Sequence, residues 1–262
     1  MNWLIILIPV LYYGLYFILR GRRTARPQLI AHRGGRATTP ENTMAAFLHA
    51  IALEADWLEF DVQRTRDGVL VVFHDVTVER TTNGKGQVGD LTFEELRKLN
   101  AGNGEVVPAF REVIALAKQA GVGILPELKS PRLYPGIEAE LLREIKEAGY
   151  LERTGIQSFD HEVLNAVYAS DPQSRVYPLY GLWKLSLSNP KVAFAQTQCP
   201  MAEMVLLNPW MIRQAHSQGR QVYAWFFVLE HPLVMRILLA MGVDGLMVDN
   251  PAALRRILGP GN

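Results

Sequence analysis

Acidic, basic and histidine side chains recur at the ends of short apolar runs in the first half of this sequence. The residues concerned are His32, Arg33, Glu59, Asp61, His74, Glu127 and Lys129. Carboxylates in a set without a thiol ligand favour calcium, magnesium or manganese over zinc. Arginine and lysine beside such a metal suit a phosphate group, and histidines can move protons between oxygen atoms. These residue types together predict metal-assisted cleavage of a phosphodiester.

The spacing of the acidic residues indicates a metal site. Glu59 and Asp61 are two residues apart in an extended run, so both side chains point to one side of a strand. The same spacing relates Glu127 and Lys129 in a later run. Because two inward-facing acids on one strand need a cation, we predict that Glu59, Asp61 and Glu127 bind a divalent metal, either Ca2+ or Mg2+.

The remaining residues of the set are suited to the substrate. Arg33 and Lys129 bring positive charge to the predicted metal site, and we expect both to bind the phosphate. We predict that His32 and His74 are the catalytic acid and base. One would remove a proton from the attacking oxygen, and the other would supply a proton to the leaving oxygen.

Short apolar runs alternate with helical patterns from Pro27 onward, which is typical of an α/β domain with parallel strands. Eight strands are predicted, over 29–33, 57–62, 124–129, 155–159, 175–180, 204–208, 222–228 and 245–249. Helical patterns begin near Pro40, Pro108, Gly136, His161, Lys191, Pro209, His231 and Pro251. We therefore predict a TIM (β/α)8 barrel. An open doubly wound sheet is the alternative, but no glycine-rich GxGxxG turn follows the first strand.

One apolar run, Val69 to Asp75, does not fit this alternation. It follows the second strand after a short turn containing Asp67 and Gly68, which is a strong hairpin signal. Antiparallel pairing across this turn would bring Asp61 and His74 side by side. The polar, glycine-rich stretch that comes next predicts a small insertion over the mouth of the barrel.

The first 26 residues differ in composition from the rest of the chain. Trp3 to Leu19 is uncharged and apolar, and Arg20, Arg22, Arg23 and Arg26 follow it. This order predicts an uncleaved, single membrane-spanning helix with the catalytic domain on the cytoplasmic side. The alternative is a helix packed on the barrel. The predicted domains are a membrane anchor with its basic flank at 1–26 and the barrel at 27–262.

Charge and cysteine content exclude two other classes of protein. The formal net charge is +1, from 27 basic and 26 acidic residues, so no positive field is available to bind nucleic acid. The single cysteine, Cys199, can form neither an internal disulfide nor a thiolate zinc site. We expect it to be a small buried side chain.

Several motifs resemble those of the glycerophosphodiester phosphodiesterase family. They are AHRGG with PENT, LEFDVQRTRDGVLVVFHD, PELK, QSFD and GVDGLMVDNP, at positions 31–35 with 40–43, 58–75, 126–129, 157–160 and 242–251. The resemblance implies a TIM barrel, a divalent metal, and hydrolysis of glycerophosphodiesters to an alcohol and glycerol 3-phosphate. The acid/base, metal-binding and phosphate-binding residues that it implies are those assigned above.

The sequence departs from this family at a late strand. The family usually continues its tryptophan with Thr, Val and Asn, whereas Phe226, Phe227 and Val228 follow Trp225 here. Trp225 is predicted to form a wall for the glycerol or lipid part of the substrate, with a plain core role as the alternative. The apolar residues and the predicted anchor add a second candidate activity. The layout is similar to that of membrane-anchored lysophospholipase D enzymes of this family, and that resemblance implies release of lysophosphatidic acid from lysophospholipids.

The residue types leave the route of attack open. Either water or the glycerol 2-hydroxyl, through a cyclic phosphate, could attack phosphorus. An inactive scaffold is a poor alternative because every expected polar residue is present. An aldolase with Lys129 as a Schiff base is also a poor alternative, because Glu59, Asp61 and Glu127 would keep this amine charged.

Overall fold

The computed structural model describes residues 4–19, 25–182 and 187–259. The strands are β1 Gln28–Ala31, β2 Trp57–Arg64, β3 Leu70–Val72, β4 Gly123–Leu128, β5 Gly155–Ser158, β6 Arg175–Tyr180, β7 Thr197–Pro200, β8 Gln221–Trp225 and β9 Gly245–Val248. The helices are α1 Leu4–Leu19, α2 Met44–Ala52, α3 Phe93–Arg97, α4 Phe110–Ala120, α5 Ile137–Glu147, α6 His161–Ser170, α7 Ala202–Leu207, α8 Trp210–Ser217, α9 Pro232–Met241 and α10 Pro251–Leu258.

Eight parallel strands close into a barrel in the order β1-β9-β8-β7-β6-β5-β4-β2, and β2 pairs back with β1. This arrangement confirms the predicted TIM-like barrel. Its interior layer is apolar and consists of Ile30, Trp57, Leu125, Tyr177, Leu179, Cys199, Tyr223 and Met247. Cys199 is free and fully buried, as predicted. Since the interior is filled, the strand ends are left to carry the polar chemistry.

The predicted hairpin is present after β2. Strand β3 pairs antiparallel with β2, with Val62 opposite Val72, and the turn between them contains Gly68 at φ 83°. In this register Phe73 is opposite Asp61 and donates its N–H to the Asp61 carbonyl at 2.9 Å, so His74 is one residue beyond the position predicted for it. The insertion that comes next contains α3 and a small apolar cluster of its own, which includes Val88 and Leu96.

One strand of the barrel lies elsewhere than predicted. The strand expected at 204–208 is helix α7, and the strand at this position of the barrel is β7. A short apolar run is compatible with either a strand or a buried helix, and here Met204 and Val205 are buried on a helix. Strand β7 was missed because it is polar. Its Gln198 is buried and accepts a hydrogen bond from the Tyr180 hydroxyl at 2.6 Å.

Two helix starts also differ from prediction. The first barrel helix, α2, begins at Met44 rather than near Pro40, because the Thr43 side chain accepts a hydrogen bond from the Ala46 N–H and caps the helix there. The helix expected near Lys191 is a single 3-10 turn, Pro190–Val192.

The N-terminal helix corrects the predicted membrane span. Helix α1 has 16 residues, and no helix in the described part of the chain is both long and apolar enough to cross a membrane. The predicted single-pass localisation, with a cytoplasmic catalytic domain, is therefore wrong. Trp3 and three of the arginines named for the flanks, Arg20, Arg22 and Arg23, lie outside the described residues.

Helix α1 instead packs on the outside of the barrel, as the alternative interpretation stated. Tyr16 is fully buried, and its hydroxyl donates to the Met241 carbonyl at 2.5 Å. Its ring makes an edge contact with Trp210, with 5.5 Å between centroids. The Tyr13 hydroxyl donates to the Leu206 carbonyl at 2.5 Å. Tyr13 and Tyr16 therefore attach an otherwise apolar helix to α7, α8 and α9.

Candidate active site

A tight turn after β1 brings His32 and Arg33 to the mouth of the barrel. Arg33 has φ 53°, and Gly34 and Gly35 also have positive φ. A Cβ atom on Gly34 would lie 2.6 Å from the Cβ atom of Ala46, so glycine allows α2 to pack closely against the turn. In this left-handed backbone conformation the Arg33 N–H donates to Glu59 Oε2 at 2.9 Å.

Three buried carboxylates form the centre of the site. Glu59, Asp61 and Glu127 lie on adjacent strands, with Asp61 paired to Glu127 in the β2–β4 register, and one oxygen of each lies within 4.8 Å of the others. Their exposed fractions are 1%, 0% and 5%. Asp61 Oδ1 and Glu127 Oε1 are buried without a hydrogen bond among the described residues. Buried carboxylate oxygens that accept no hydrogen bond and lie at this spacing fit a hard divalent cation.

Burial and the neighbouring charges shift the pKa values of two of these acids, Glu59 and Asp61. Burial raises the pKa of Glu59 well above its usual range, and the charges of Asp61 and Glu127 add to this effect. Burial would also raise the pKa of Asp61, but the charges of Arg33 and Lys129 outweigh it and lower this pKa to about 2. A bound dication would stabilise the charged form of all three acids.

Arg33 and Lys129 lie beside the carboxylates from opposite sides of β2. Arg33 Nε is 3.3 Å from Asp61 Oδ2, and Lys129 Nζ is 3.3 Å from Glu127 Oε1 and 3.6 Å from Asp61 Oδ1. Burial alone would lower the pKa of Lys129, but the charges of Glu127 and Asp61 outweigh it and raise this pKa. The raised pKa favours the charged amine, which suits phosphate binding and makes Lys129 a poor Schiff-base nucleophile.

The two histidines have the same kind of partner. His32 Nδ1 lies 2.6 Å from Asp249 Oδ1, and His74 Nδ1 lies 2.5 Å from Asp75 Oδ1. Burial lowers the pKa of both histidines, and both aspartates oppose this shift. In each ring the aspartate occupies Nδ1, which leaves Nε2 for a reacting atom. His32 Nε2 is 3.9 Å from Glu59 Oε2.

Sequence reasoning missed the groups behind these histidines. Asp249 also binds Arg36 Nε at 2.7 Å, and Asp75 also binds Arg80 Nε. The position of Asp249 at the end of β9, within the motif GVDGLMVDNP, was the available signal. It was overlooked because Asp249 is 217 residues from its histidine.

Asn42 and Glu41, both in the PENT motif, were likewise missed. Asn42 Nδ2 donates to Asp61 Oδ2 at 3.0 Å, and Glu41 Oε1 accepts from Arg33 Nη1 at 2.9 Å. Arg80 also binds Glu41, at 2.7 Å. The motif therefore supports the carboxylate and guanidinium at the centre of the site.

Trp225 is the last residue of strand β8. Its ring makes an edge contact with Phe159, with 5.5 Å between centroids, and Lys129 Nζ is 5.9 Å from the Phe159 centroid. Trp225 Nε1 is buried without a hydrogen-bond partner among the described residues. A cavity of ≈ 650 Å³ opens beside Lys129 and Phe159. The structure thus brings together the seven polar residues predicted for the site, His32, Arg33, Glu59, Asp61, His74, Glu127 and Lys129. Phe159 lies between Trp225 and Lys129 and is near both.

A TIM-like barrel with carboxylates, two cationic side chains and two aspartate-bound histidines at one mouth is typical of a phosphodiester-cleaving enzyme. The chain belongs to the glycerophosphoryl diester phosphodiesterase family, whose family model matches residues 32–253.

Relatives support this assignment along most of the chain. A glycerophosphodiester phosphodiesterase of Caldanaerobacter subterraneus is 38% identical over 89% of this chain and 98% of its own length. The crystal structure of glycerophosphodiester phosphodiesterase from Agrobacterium tumefaciens is similar with a TM-score of 0.75 and 26% identity, over 88% of this chain and 99% of that one. An Oleispira antarctica phosphodiesterase, solved with the product sn-glycerol-3-phosphate, shares the fold at a TM-score of 0.74 and 24% identity, over 89% and 96% of the two chains.

Proposed function

We propose that this protein hydrolyses glycerophosphodiesters to an alcohol and glycerol 3-phosphate, and that residues 27–262 form the catalytic domain. The observation that carries the proposal is the meeting of the carboxylate cluster, Arg33, Lys129 and two aspartate-bound histidines at one end of the barrel. The names of the relatives agree with this activity, and the Oleispira enzyme was solved with the expected product.

Glu59, Asp61 and Glu127 would hold a divalent metal, Ca2+ or Mg2+. Asp61 Oδ1 and Glu127 Oε1 are buried and accept no hydrogen bond among the described residues, and the cluster contains no thiol, which supports a hard cation. When bound, the cation supplies positive charge to the phosphate oxygens. Asn42 and the Arg33 N–H orient the carboxylates by hydrogen bonds to Asp61 and Glu59.

Arg33 and Lys129 bind the remaining phosphate oxygens. The Arg33 guanidinium is held at the site by Asp61, whose Oδ2 is 3.3 Å from Nε, and by Glu41, which accepts from Nη1, and it would offer its positive charge to the phosphate. Lys129 directly follows the neighbouring strand, β4, and brings its positive charge to the site from there. Together they offset the negative charge that accumulates during the reaction.

His32 and His74 move the protons through Nε2. One takes a proton from the attacking oxygen, and the other gives a proton to the oxygen of the leaving alcohol. Asp249 and Asp75 keep the rings oriented through Nδ1. These roles hold equally for attack by water and for attack by the glycerol 2-hydroxyl.

A lysophospholipid is the second candidate substrate, cleaved between phosphate and headgroup to give lysophosphatidic acid. The aromatic contact of Trp225 with Phe159, and the exposure of Phe227 beyond it, favour this candidate. The same histidines and carboxylates would act on either substrate.

Product analysis tests both candidates. The purified chain is incubated with glycerophosphocholine and lysophosphatidylcholine, with and without a chelator, and the products are identified by phosphorus NMR and mass spectrometry. We expect glycerol 3-phosphate from the first substrate and, where the second is cleaved, lysophosphatidic acid. Release of phosphocholine would contradict the proposal, because it requires cleavage on the other side of phosphorus.

A further inference from the structure

An arginine of the insertion lies next to the catalytic end of the barrel. Arg80 follows shortly after His74 and Asp75 in the chain. Just before it, Val78 is fully buried in the apolar cluster of the insertion, and its N–H donates to the Gly86 carbonyl at 3.0 Å. The core of the insertion therefore fixes the backbone from which Arg80 extends.

Arg80 binds two acids that belong to different parts of the chain. Its Nη1 and Nη2 atoms donate to Glu41 Oε2 at 3.0 Å and to Glu41 Oε1 at 2.7 Å, so this pair is bidentate. Its Nε atom donates to Asp75 Oδ2. All three nitrogen atoms of the guanidinium are thus engaged, and a single lysine ammonium could not reproduce this arrangement.

Each of these two acids in turn holds a residue of the proposed mechanism. Asp75 Oδ1 lies 2.5 Å from His74 Nδ1, and Glu41 Oε1 accepts from Arg33 Nη1 at 2.9 Å. Arg33 follows β1, whereas His74 follows β3. Arg80 and its two acids therefore join a proton-transfer group to a phosphate-binding group across separate elements.

Glu41 lies between two arginines, and its charge is shared by them. Its side chain is only 11% exposed. Burial alone would raise the pKa of Glu41, but the hydrogen bonds and charges of Arg80 and Arg33 outweigh it and lower this pKa. An exposed ion pair contributes little, whereas a bidentate bond to a mostly buried acid has a defined geometry. Without Arg80, Glu41 would bind Arg33 more strongly and compete with the phosphate for it.

We propose that Arg80 is a positioning residue that holds His74 and Arg33, through Asp75 and Glu41, in the relative positions that one phosphate requires. The proposal rests on the phosphodiesterase function given above. Because Arg80 acts through two acids, its loss should affect two steps. Turnover should fall through His74, and substrate binding should weaken through Arg33.

The test is a pair of double-mutant cycles on glycerophosphocholine hydrolysis. We would measure kcat and KM for the wild type, Arg80→Ala, Asp75→Ala and Glu41→Ala, and for the double variants R80A/D75A and R80A/E41A. Arg80→Lys keeps the positive charge without the three donors. Arg66→Ala is the control, because the Arg66 side chain is 58% exposed, against 48% for Arg80, and also forms an ion pair, with Glu95.

We expect Arg80→Ala to lower kcat about tenfold or more and to raise KM, since small displacements of reacting groups are costly. The effect on kcat should be smaller in the Asp75→Ala background, and the effect on KM smaller in the Glu41→Ala background, because the contact through which Arg80 acts is already lost there. Arg80→Lys should recover only part of kcat. Arg66→Ala should keep kcat and KM within about twofold of the wild type.

The failures are distinguishable. A wild-type enzyme that does not cleave glycerophosphocholine overturns the proposed function and this inference with it. An active wild type together with unchanged kcat and KM in Arg80→Ala overturns the inference alone. A lower kcat at unchanged KM, with effects that multiply fully in both double variants, would show that Arg80 only stabilises the fold and would also overturn it. Arg80→Lys decides the question if Arg80→Ala does not fold, because wild-type kcat and KM in Arg80→Lys would contradict the proposal.

Discussion

At the scale of single residues, the two histidines of the site are held in the same way. Each has an aspartate at Nδ1, and each aspartate is bound by an arginine, Arg36 for Asp249 and Arg80 for Asp75. An acceptor at Nδ1 fixes both the ring orientation and the tautomer. Both histidines are at the mouth of the barrel and have the same kind of hydrogen-bond partner. This suits a reaction in which one histidine removes a proton and the other supplies one.

Substitution of either histidine tests this arrangement. His32→Ala and His74→Ala should each lower kcat by about 100-fold or more, as expected for loss of a general acid or base. His49→Ala, on α2, is the control and should leave kcat unchanged. Steady-state kinetics on glycerophosphocholine measures the effect, and a near-normal kcat in either variant would remove that histidine from the mechanism.

The proposed metal site predicts how substitution of a ligand changes the affinity for the cation. Glu127→Gln removes one charge from the buried carboxylate cluster and should weaken Ca2+ or Mg2+ binding at least about tenfold. Calorimetric titration of the purified protein measures this directly. Glu152→Gln, at an exposed glutamate, is the matched control. Equal affinity in wild type and Glu127→Gln would show that Glu127 is not a ligand.

Glu230 should make stability depend on pH. Burial raises the pKa of Glu230 to about 7, despite its hydrogen bonds from the Asp249 and Asn250 N–H groups. Between pH 4.5 and 7 the folded state therefore binds a proton that the unfolded state has released, so stability falls as pH rises through this window. The contribution is about 1 to 2 kcal/mol, because the side chain is only partly buried.

Urea unfolding of the wild type and Glu230→Gln at several pH values measures this contribution. The free energy of unfolding should decline less between pH 5 and pH 7 in Glu230→Gln, since the variant lacks the titrating group. The difference between the two curves is the readout, because other groups contribute equally to both. Parallel curves would contradict the raised pKa.

At the scale of elements, α1 shows how an apolar helix can belong to a barrel. Its tyrosines face the protein and bind backbone carbonyls of Leu206 and Met241, while Ile8, Leu11 and Ile18 are exposed. The tyrosines of the run predicted to span a membrane thus provide the contacts with the barrel. We conclude that the helix contributes to the stability of the fold.

Tyr16→Ala tests this contribution. Tyr16 is fully buried and hydrogen-bonded, so the substitution should lower the free energy of unfolding by about 3 kcal/mol. Tyr16→Phe should cost about 1 kcal/mol, and Ile18→Ala, at a residue that is 80% exposed, should have little effect. Chemical denaturation measures all three. A Tyr16→Ala protein as stable as the wild type would show that α1 is not part of the folded unit.

At the scale of the whole molecule, the barrel and the set of polar site residues could be predicted because they depend on local patterns. Alternating strands and helices define a closed barrel, and its closure brings the strand ends to one face. Glu59 and Asp61, two residues apart on β2, therefore had to face the same mouth as Glu127. The two-residue spacing of Glu59 and Asp61 was therefore enough to predict that both side chains face the site.

The missed features depend on tertiary contacts. The pairing of His32 with Asp249 joins residues 217 positions apart, so the position of Asp249 at the end of β9 marks it as a candidate but does not identify its partner. Strand β7 is polar because Gln198 finds the Tyr180 hydroxyl inside the protein. The apolar composition of α1 is the same whether bilayer or barrel covers it, and its 16-residue length and the contacts of its tyrosines distinguish the two.

The most direct test of the account is the metal dependence of glycerophosphocholine hydrolysis by the full chain. The rate of glycerol 3-phosphate release would be measured in excess chelator and again after addition of Ca2+ or Mg2+. The account predicts no activity in chelator and its recovery with one of these ions. A full rate in excess chelator would contradict the assignment of Glu59, Asp61 and Glu127 as a metal site that the reaction requires.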